Sequence, residues 1–255
     1  MAKMWPNCEY DSINWEKYPP LEISQIKNVI PISGKMLPFN KARTKAITRI
    51  GPHNKQVLDI IICGMLGDFW ADKIPGKQIP GIRFNIEQSI RHTAYIHQLT
   101  LLFYKLGYCA RPIPTLVQKS DKVIENRFNY RLSLFTFTNF IWIYDSYYKT
   151  VNGENIKCIP FFIGDYLTPI GLAHWICQDG SHQKGQGIKL ATNSFSFEEC
   201  KFLATIISKK YNLKTSVVRT GTPNQWCITI WKESMPLLRQ IVNPYFIPEM
   251  KYKLG

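Results

Sequence analysis

The chain has 255 residues, room for one large domain or two small ones, and its 45% hydrophobic and 13% aromatic content excludes a globally disordered polypeptide. A net charge of +14 and a pI near 9.4 call for a polyanionic partner or a role in solubility, with nucleic acid the first reading and an anionic membrane surface the second. The longest apolar stretches, such as Ile60–Leu66 and Phe202–Ile207, fall well short of the roughly 20 residues that span a bilayer, and Met1–Pro20 lacks the basic-then-apolar order of a signal segment.

Residues 1–54 hold proline and asparagine punctuation and several cations (Lys35, Lys41, Arg43, Lys45, Arg49), without sustained periodicity. They read as an extension that wraps the body or contacts nucleic acid, or as a tail. A helix is predicted over Gln56–Asp68, then a short strand near Trp70 and a longer one over Gly81–Gln88, where Ile82, Phe84 and Ile86 alternate. Tyr95, Leu99, Leu102, Phe103 and Leu106 mark an amphipathic helix over Arg91–Leu106, stopped by Gly107. Strands near Ile113–Lys119 and Arg127–Phe137 and a helical run near Phe140–Tyr148 complete the first half, residues 55–150. Residues 151–165 form a link.

The second half, residues 166–255, repeats the order. Thr168 and Pro169 make an N-cap and first-turn pair for a helix to Asp179. A strand follows near Gly187–Asn193. Ser196-Phe197-Glu198-Glu199 is a capping box opening a helix to about Lys210, with Phe202, Leu203, Ile206 and Ile207 on its apolar face. Strands over Thr215–Arg219 and Trp226–Trp231 and a helix over Ser234–Val242 come last. Each half is thus α-β-β-α-β-β-α, although one strand of the second half's first pair is not visible in the sequence. The fold class is α+β, built from two pseudo-symmetric repeats. The seven cysteines (8, 63, 109, 158, 177, 200, 227) form no CxxC pair and read as reduced thiols filling the core.

Two segments carry the chemistry: Ile61–Asp68 (IICGMLGD) and Gly171–Gly180 (GLAHWICQDG). Each is an apolar run dotted with small residues that meets an aspartate where the helix dipole is already negative. Gly64 and Gly67 each cost about 1 kcal/mol in a helix interior, a cost that points to close backbone approach. If the helices lie side by side, Asp68 and Asp179 emerge together and repel, so they require a divalent cation; Mg²⁺, a hard ion taking oxygen ligands, suits phosphodiester hydrolysis. The alternative is that both are ordinary helix-ending residues.

The two segments resemble the paired signature helices of LAGLIDADG homing endonucleases, of the monomeric two-repeat kind encoded in organellar introns. Gly67-Asp68 matches the ending of the first signature, and Leu172-Ala173 with Asp179-Gly180 matches the second. Tyr166-Leu167-Thr168-Pro169, Ser194 to Glu199 and the closing Pro244 to Leu254 extend the likeness. The resemblance implies curved antiparallel sheets packed through the signature helices, and one acid plus one basic residue per repeat. The acids fall on Asp68 and Asp179, and the basic positions on Lys157 and Lys253, where the alternative is a solvated surface lysine. It further implies Mg²⁺ or Mn²⁺ as cofactor, with Ca²⁺ able to occupy the site without supporting cleavage. Cys63 and Phe69 depart from the usual small residues of the first signature, and His174 and Gln178 depart in the second.

The sheets are then expected to read DNA from the face opposite the apolar one, since a two-stranded ribbon fits the major groove. The candidates are Arg83, Asn85, Glu87, Lys119, Lys122, Arg127, Asn129 and Arg131 in the first repeat. In the second they are Lys184, Lys189, Thr192, Lys214, Arg219 and Gln225. The expected partner is double-stranded DNA with a long pseudo-palindromic or asymmetric target, bound by a monomer with no membrane association. The same family also includes maturases, so the runner-up is an RNA-binding protein that assists splicing of its own intron. Residence in a mitochondrion or chloroplast follows from the resemblance, and synthesis inside the organelle from the lack of a clear transit peptide.

Overall fold

The computed structural model describes residues 44–119 and 127–255. Lys35, Lys41, Arg43 and Lys122, named above, lie outside the described residues, as does most of the 1–54 extension.

In chain order the elements are α1 (Lys55–Gly64), β1 (Phe69–Ile74), β2 (Gly81–Ser89), α2 (Thr93–Lys105), β3 (Thr115–Lys119), β4 (Arg127–Ser133), α3 (Ile141–Tyr147), β5 (Tyr148–Val151), β6 (Glu154–Lys157), α4 (Ile163–Tyr166), α5 (Pro169–Asp179), β7 (Gly180–Gln183), β8 (Gly187–Ala191), α6 (Phe197–Tyr211), β9 (Thr215–Arg219), β10 (Trp226–Trp231) and α7 (Met235–Val242); 3-10 turns punctuate them, the last over Pro248–Leu254. The doubled α-β-β-α-β-β-α order is present, and β7 is the strand the sequence did not reveal. The fold is α+β, with two four-stranded antiparallel sheets ordered β1-β2-β4-β3 and β7-β8-β10-β9. None of the helices among the described residues is long and apolar enough to cross a membrane.

The chain divides into two compact units. One takes the residues up to Pro52 together with Phe69–Trp142, and the other His53–Asp68 with Ile143–Gly255. This grouping cuts across the sequence boundary at residue 55, because α1 packs with α5. In the first unit, Ile82, Phe84 and Ile86 turn inward and are fully buried, as period-two alternation requires. Phe140 packs between Phe84 and Phe137, its ring centroid 5.4 Å from the first and 4.7 Å from the second. The described end of the extension joins this unit: the Arg49 guanidinium lies 4.6 Å over the Phe135 ring and donates to the Thr136 carbonyl.

In the second unit, Ile188, Leu190, Ile228 and Ile230 supply the sheet side of the core, and Leu203 and Ile207 of α6 pack there. The capping box is formed as read: Ser196 Oγ accepts from the Glu199 amide, and the Glu199 carboxylate accepts from the Ser196 amide. Losing such a cap costs about 1 kcal/mol. Residues 151–165, read as a link, contain the β5–β6 hairpin and α4. The hairpin turns at Asn152-Gly153, with φ of 53° and 85°, the left-handed pair that a type I′ turn demands.

Candidate nuclease centre

All four residues expected to carry the chemistry lie in the second unit. Helix α1 is opened by Asn54, whose Oδ1 accepts the Gln56 amide hydrogen at 2.8 Å. Helix α5 is opened by Thr168, whose hydroxyl accepts from the Gly171 amide, with Pro169 in the first turn. Both helices are apolar on nearly every side and buried, so each must pack against protein all round.

They run side by side in the same direction: Asp59, Cys63 and Asp68 along the first meet Thr168, Gly171 and Gln178 along the second, and a bond to Tyr166, just before the second helix, adds to the contact. The Thr168 hydroxyl donates to Asp59 Oδ2 at 2.9 Å, the Cys63 thiol donates to the Tyr166 carbonyl at 3.1 Å, and the Asp68 amide donates to Gln178 Oε1 at 2.9 Å. Two glycines permit this closeness. A Cβ on Gly171 would fall 2.5 Å from Cys63 Sγ, and one on Gly67 would fall 2.6 Å from Gln178 Oε1 and 3.1 Å from Asp179 Oδ2. Cys63, a departure from the family's glycine, is therefore accommodated by the glycine opposite it.

The acids sit at the shared end of the helices. Helix α1 closes at Gly64, and the amides of Leu66 and Gly67 bond back to Cys63 and Gly64 in tighter turns, leaving exposed Asp68 just beyond. The sequence predicts this helix through to Asp68; Gly64 and Gly67, two glycines among the last five residues of that span, explain the early end. Asp179 is the final residue of α5. Burial, and then the neighbouring Asp68, push the Asp179 carboxyl up to about 7, while Lys253 and Lys157 pull the other way. A carboxylate so raised is short of positive charge.

The lysines approach with the symmetry of the repeats. Lys157, at the end of β6, donates to the Gly67 carbonyl at 3.4 Å; Lys253, in the last 3-10 turn, donates to the Gln178 and Cys177 carbonyls at 3.0 and 2.6 Å. Each thus binds the carbonyl of the residue preceding an acid. Burial lowers Lys157 to about 8 against the pull of Asp179 and Asp68, and also lowers Lys253, which is only 6% exposed.

The donor set suits a hard divalent cation: two carboxylates with oxygen ligands only. No group of three or more His, Cys, Asp or Glu that could hold a metal exists among the described residues, so water and phosphate oxygens would complete the shell, as Mg²⁺ prefers. His174 is buried in α5, and burial lowers its imidazole to about 3, keeping it neutral.

In the first unit the strand register brings Arg83, Asn85, Glu87, Lys119, Arg127, Asn129 and Arg131 to one sheet face, opposite Ile82, Phe84 and Ile86. They differ in reach. Asn85 and Asn129 are buried, and Asn85 donates to Asp72 at 2.9 Å. Glu87 bridges Lys119 at 2.6 Å and Arg131 at 2.9 Å; burial would raise its carboxyl, yet these two cations hold it low. Arg83 and Arg127 are exposed.

In the second unit Lys189 lies on the face opposite Ile188 and Leu190, and Lys184 is exposed in the β7–β8 turn. Lys214 and Gln225 flank β9 and β10, with Lys214 Nζ 6.0 Å from the Trp231 ring centroid. Two expected positions do not share that face. Thr192 is 1% exposed and donates to the Trp226 carbonyl, tying the sheet together rather than presenting a hydroxyl. Arg219 pairs in register with Trp226 on the core-facing side and lies over its ring at 5.0 Å. Both deviate because strand parity, not polarity, decides the face.

Gln178 was noted in the sequence only as a departure; its link to Asp68, 110 positions away in sequence, has no local signal. The hairpin that presents Lys157 did have one, the Asn152-Gly153 pair.

Residues 58–238 match the LAGLIDADG DNA endonuclease family. Cytochrome b mRNA maturase bI2 of Saccharomyces cerevisiae is 38% identical over 224 residues, covering 86% of this chain and 52% of the relative, so the chain spans about half that relative's length. Cytochrome b mRNA maturase bI2 of Debaryomyces hansenii is 33% identical over 249 residues, covering 96% of this chain and 88% of the relative. Among solved structures, the homing endonuclease I-WcaI bound to its DNA recognition sequence superposes with a TM-score of 0.69 at 26% identity, over 89% of this chain and 99% of that one. The chain belongs to the LAGLIDADG DNA endonuclease family.

Proposed function

We propose that the protein is a site-specific endonuclease that hydrolyses both strands of a long DNA target, with Asp68 and Asp179 holding divalent cations. The observation that carries this reading is the meeting of two acids where the paired helices end, with a Cβ on Gly67 falling 3.1 Å from Asp179 Oδ2 and the Asp68 amide bonded to Gln178; burial first, and Asp68 second, raise Asp179 to about 7. The I-WcaI complex with its recognition sequence supports DNA as the partner. When bound, Mg²⁺ or Mn²⁺ would neutralise the acids and supply Lewis-acid stabilisation at the scissile phosphate.

The chain's own groups do the rest. Asp68 and Asp179 fix where cations and phosphate oxygens gather. Lys157 Nζ, lowered to about 8, can exchange a proton with attacking water near neutral pH. Lys253 Nζ, anchored on two carbonyls, presents charge where the phosphorane develops it. The polar sheet faces follow the target's grooves, and the excess of cations makes binding salt-sensitive.

The test is incubation with the intronless host locus and Mg²⁺: a double-strand break is expected. Asp68→Asn or Asp179→Asn is expected to abolish cutting while binding persists.

A second reading is favoured by the two maturase-named relatives: binding of the host intron RNA to assist its splicing, in a mitochondrion or chloroplast. Acceleration of splicing by added protein tests it, and an unchanged splicing rate removes it.

A further inference from the structure

The two acids are held by different means. Asp179 ends its own helix, and the Gly180 amide after it bonds back to the Ile176 carbonyl, so the α5 ladder carries straight through the acid. Asp68 lies four residues past the end of α1, and its amide is taken by a side chain of the other helix, Gln178 Oε1, at 2.9 Å. Gln178 is 6% exposed, and its amide fills the space left by Gly67, where a Cβ would meet that same oxygen at 2.6 Å. Gly67, the residue that matches Gln178 ahead of the first acid, has no side chain with which to reach back to Asp179.

Resting on the endonuclease reading above, we propose that Gln178 is the positioning residue for Asp68, and that its one-sided reach makes the two strand-cutting centres unequal. A carboxylate whose backbone is fixed by a remote side chain shifts when that side chain is lost, and displacement of a catalytic group by about 1 Å can cost about 100-fold in rate. The centre built on Asp179 keeps its helical support. Removing the Gln178 acceptor thus converts an enzyme that breaks both strands into one that mainly nicks.

Two measurements on the full chain test this, using Gln178→Met, which keeps the volume and removes the acceptor. Hydrogen–deuterium exchange over Met65–Trp70 is expected to speed up by about tenfold or more, while peptides of α6 exchange as in the parent. Single-turnover digestion of a supercoiled plasmid carrying a site the parent cuts is expected to accumulate nicked circle, one strand slowing at least about tenfold more than the other. Parent-like exchange at Asp68, or equal rates of loss on both strands, would overturn the proposal. Faster exchange throughout would signal unfolding, and Gln178→Asn, which keeps an amide but withdraws it, then carries the same two tests. A parent that cuts no site would defeat the endonuclease reading, and the exchange measurement would still decide whether Gln178 holds Asp68.

Discussion

Replacing Asp179 by asparagine tests whether the acids are crowded for function at the expense of the fold. Asp179 is raised from 3.8 to about 7 by burial and by Asp68. A shift of about 3 units at 1.36 kcal/mol each means that ionising this carboxylate costs the metal-free fold about 4 kcal/mol. A folded-state value above the unfolded one gives a stabilising term that is full below about pH 4, shrinks as pH rises, and is gone above about 7. Asparagine keeps the volume without the charge, though Lys157 and Lys253 then lose an attractive neighbour. The net gain expected for Asp179→Asn in EDTA at pH 8 is therefore about 2–4 kcal/mol, or roughly 5–10 °C in Tm for a chain of this size. Urea unfolding at pH 5, 6, 7 and 8 is the assay. The gap between variant and parent should narrow by more than half at pH 5, and added Mg²⁺ should stabilise the parent more than the variant. Equal stabilities at pH 8, or a gap independent of pH, would refute the idea that the two carboxylates repel.

Other predictions follow from the same geometry. Gly171→Ala should destabilise by about 1–3 kcal/mol, since its methyl meets Cys63 Sγ at 2.5 Å and the Tyr166 carbonyl at 2.9 Å; Cys63→Ala should recover part of that loss in a double-mutant cycle read by urea midpoint. Because Lys157 must be neutral to accept a proton, the single-turnover rate should fall about tenfold per pH unit below about 8, and Lys157→Met should flatten that limb as well as slow the reaction. Arg127→Ala should weaken binding of the target and lower the slope of log affinity against log salt by about 1 if it contacts a phosphate, as filter binding at several salt concentrations would show.

Most of the fold was legible because its helices and inner strands carry strong periodicity: Ile82, Phe84 and Ile86, the Ser196 capping box and the Thr168-Pro169 start all behave as local chemistry dictates. Strand β7, Gly-Ser-His-Gln, was invisible because an edge strand of four residues with one neighbour needs no apolar alternation. The β5–β6 hairpin does have a local signal, Asn152-Gly153, the residue pair a type I′ turn favours. Asp68, Asp179, Lys157 and Lys253 enter as candidates through the signature and its resemblance, and the folded chain brings them into one unit. The faces of Thr192 and Arg219 depended on strand register, and the reach of Gln178 to Asp68 on packing between distant segments, which no local pattern encodes.

The most direct test of the central claim is strand cleavage of the intronless host locus with Mg²⁺, comparing the parent with Asp68→Asn and Asp179→Asn. The account predicts a double-strand break by the parent, and target binding without linear product by either variant. Linear product at parental rates from both variants would contradict it.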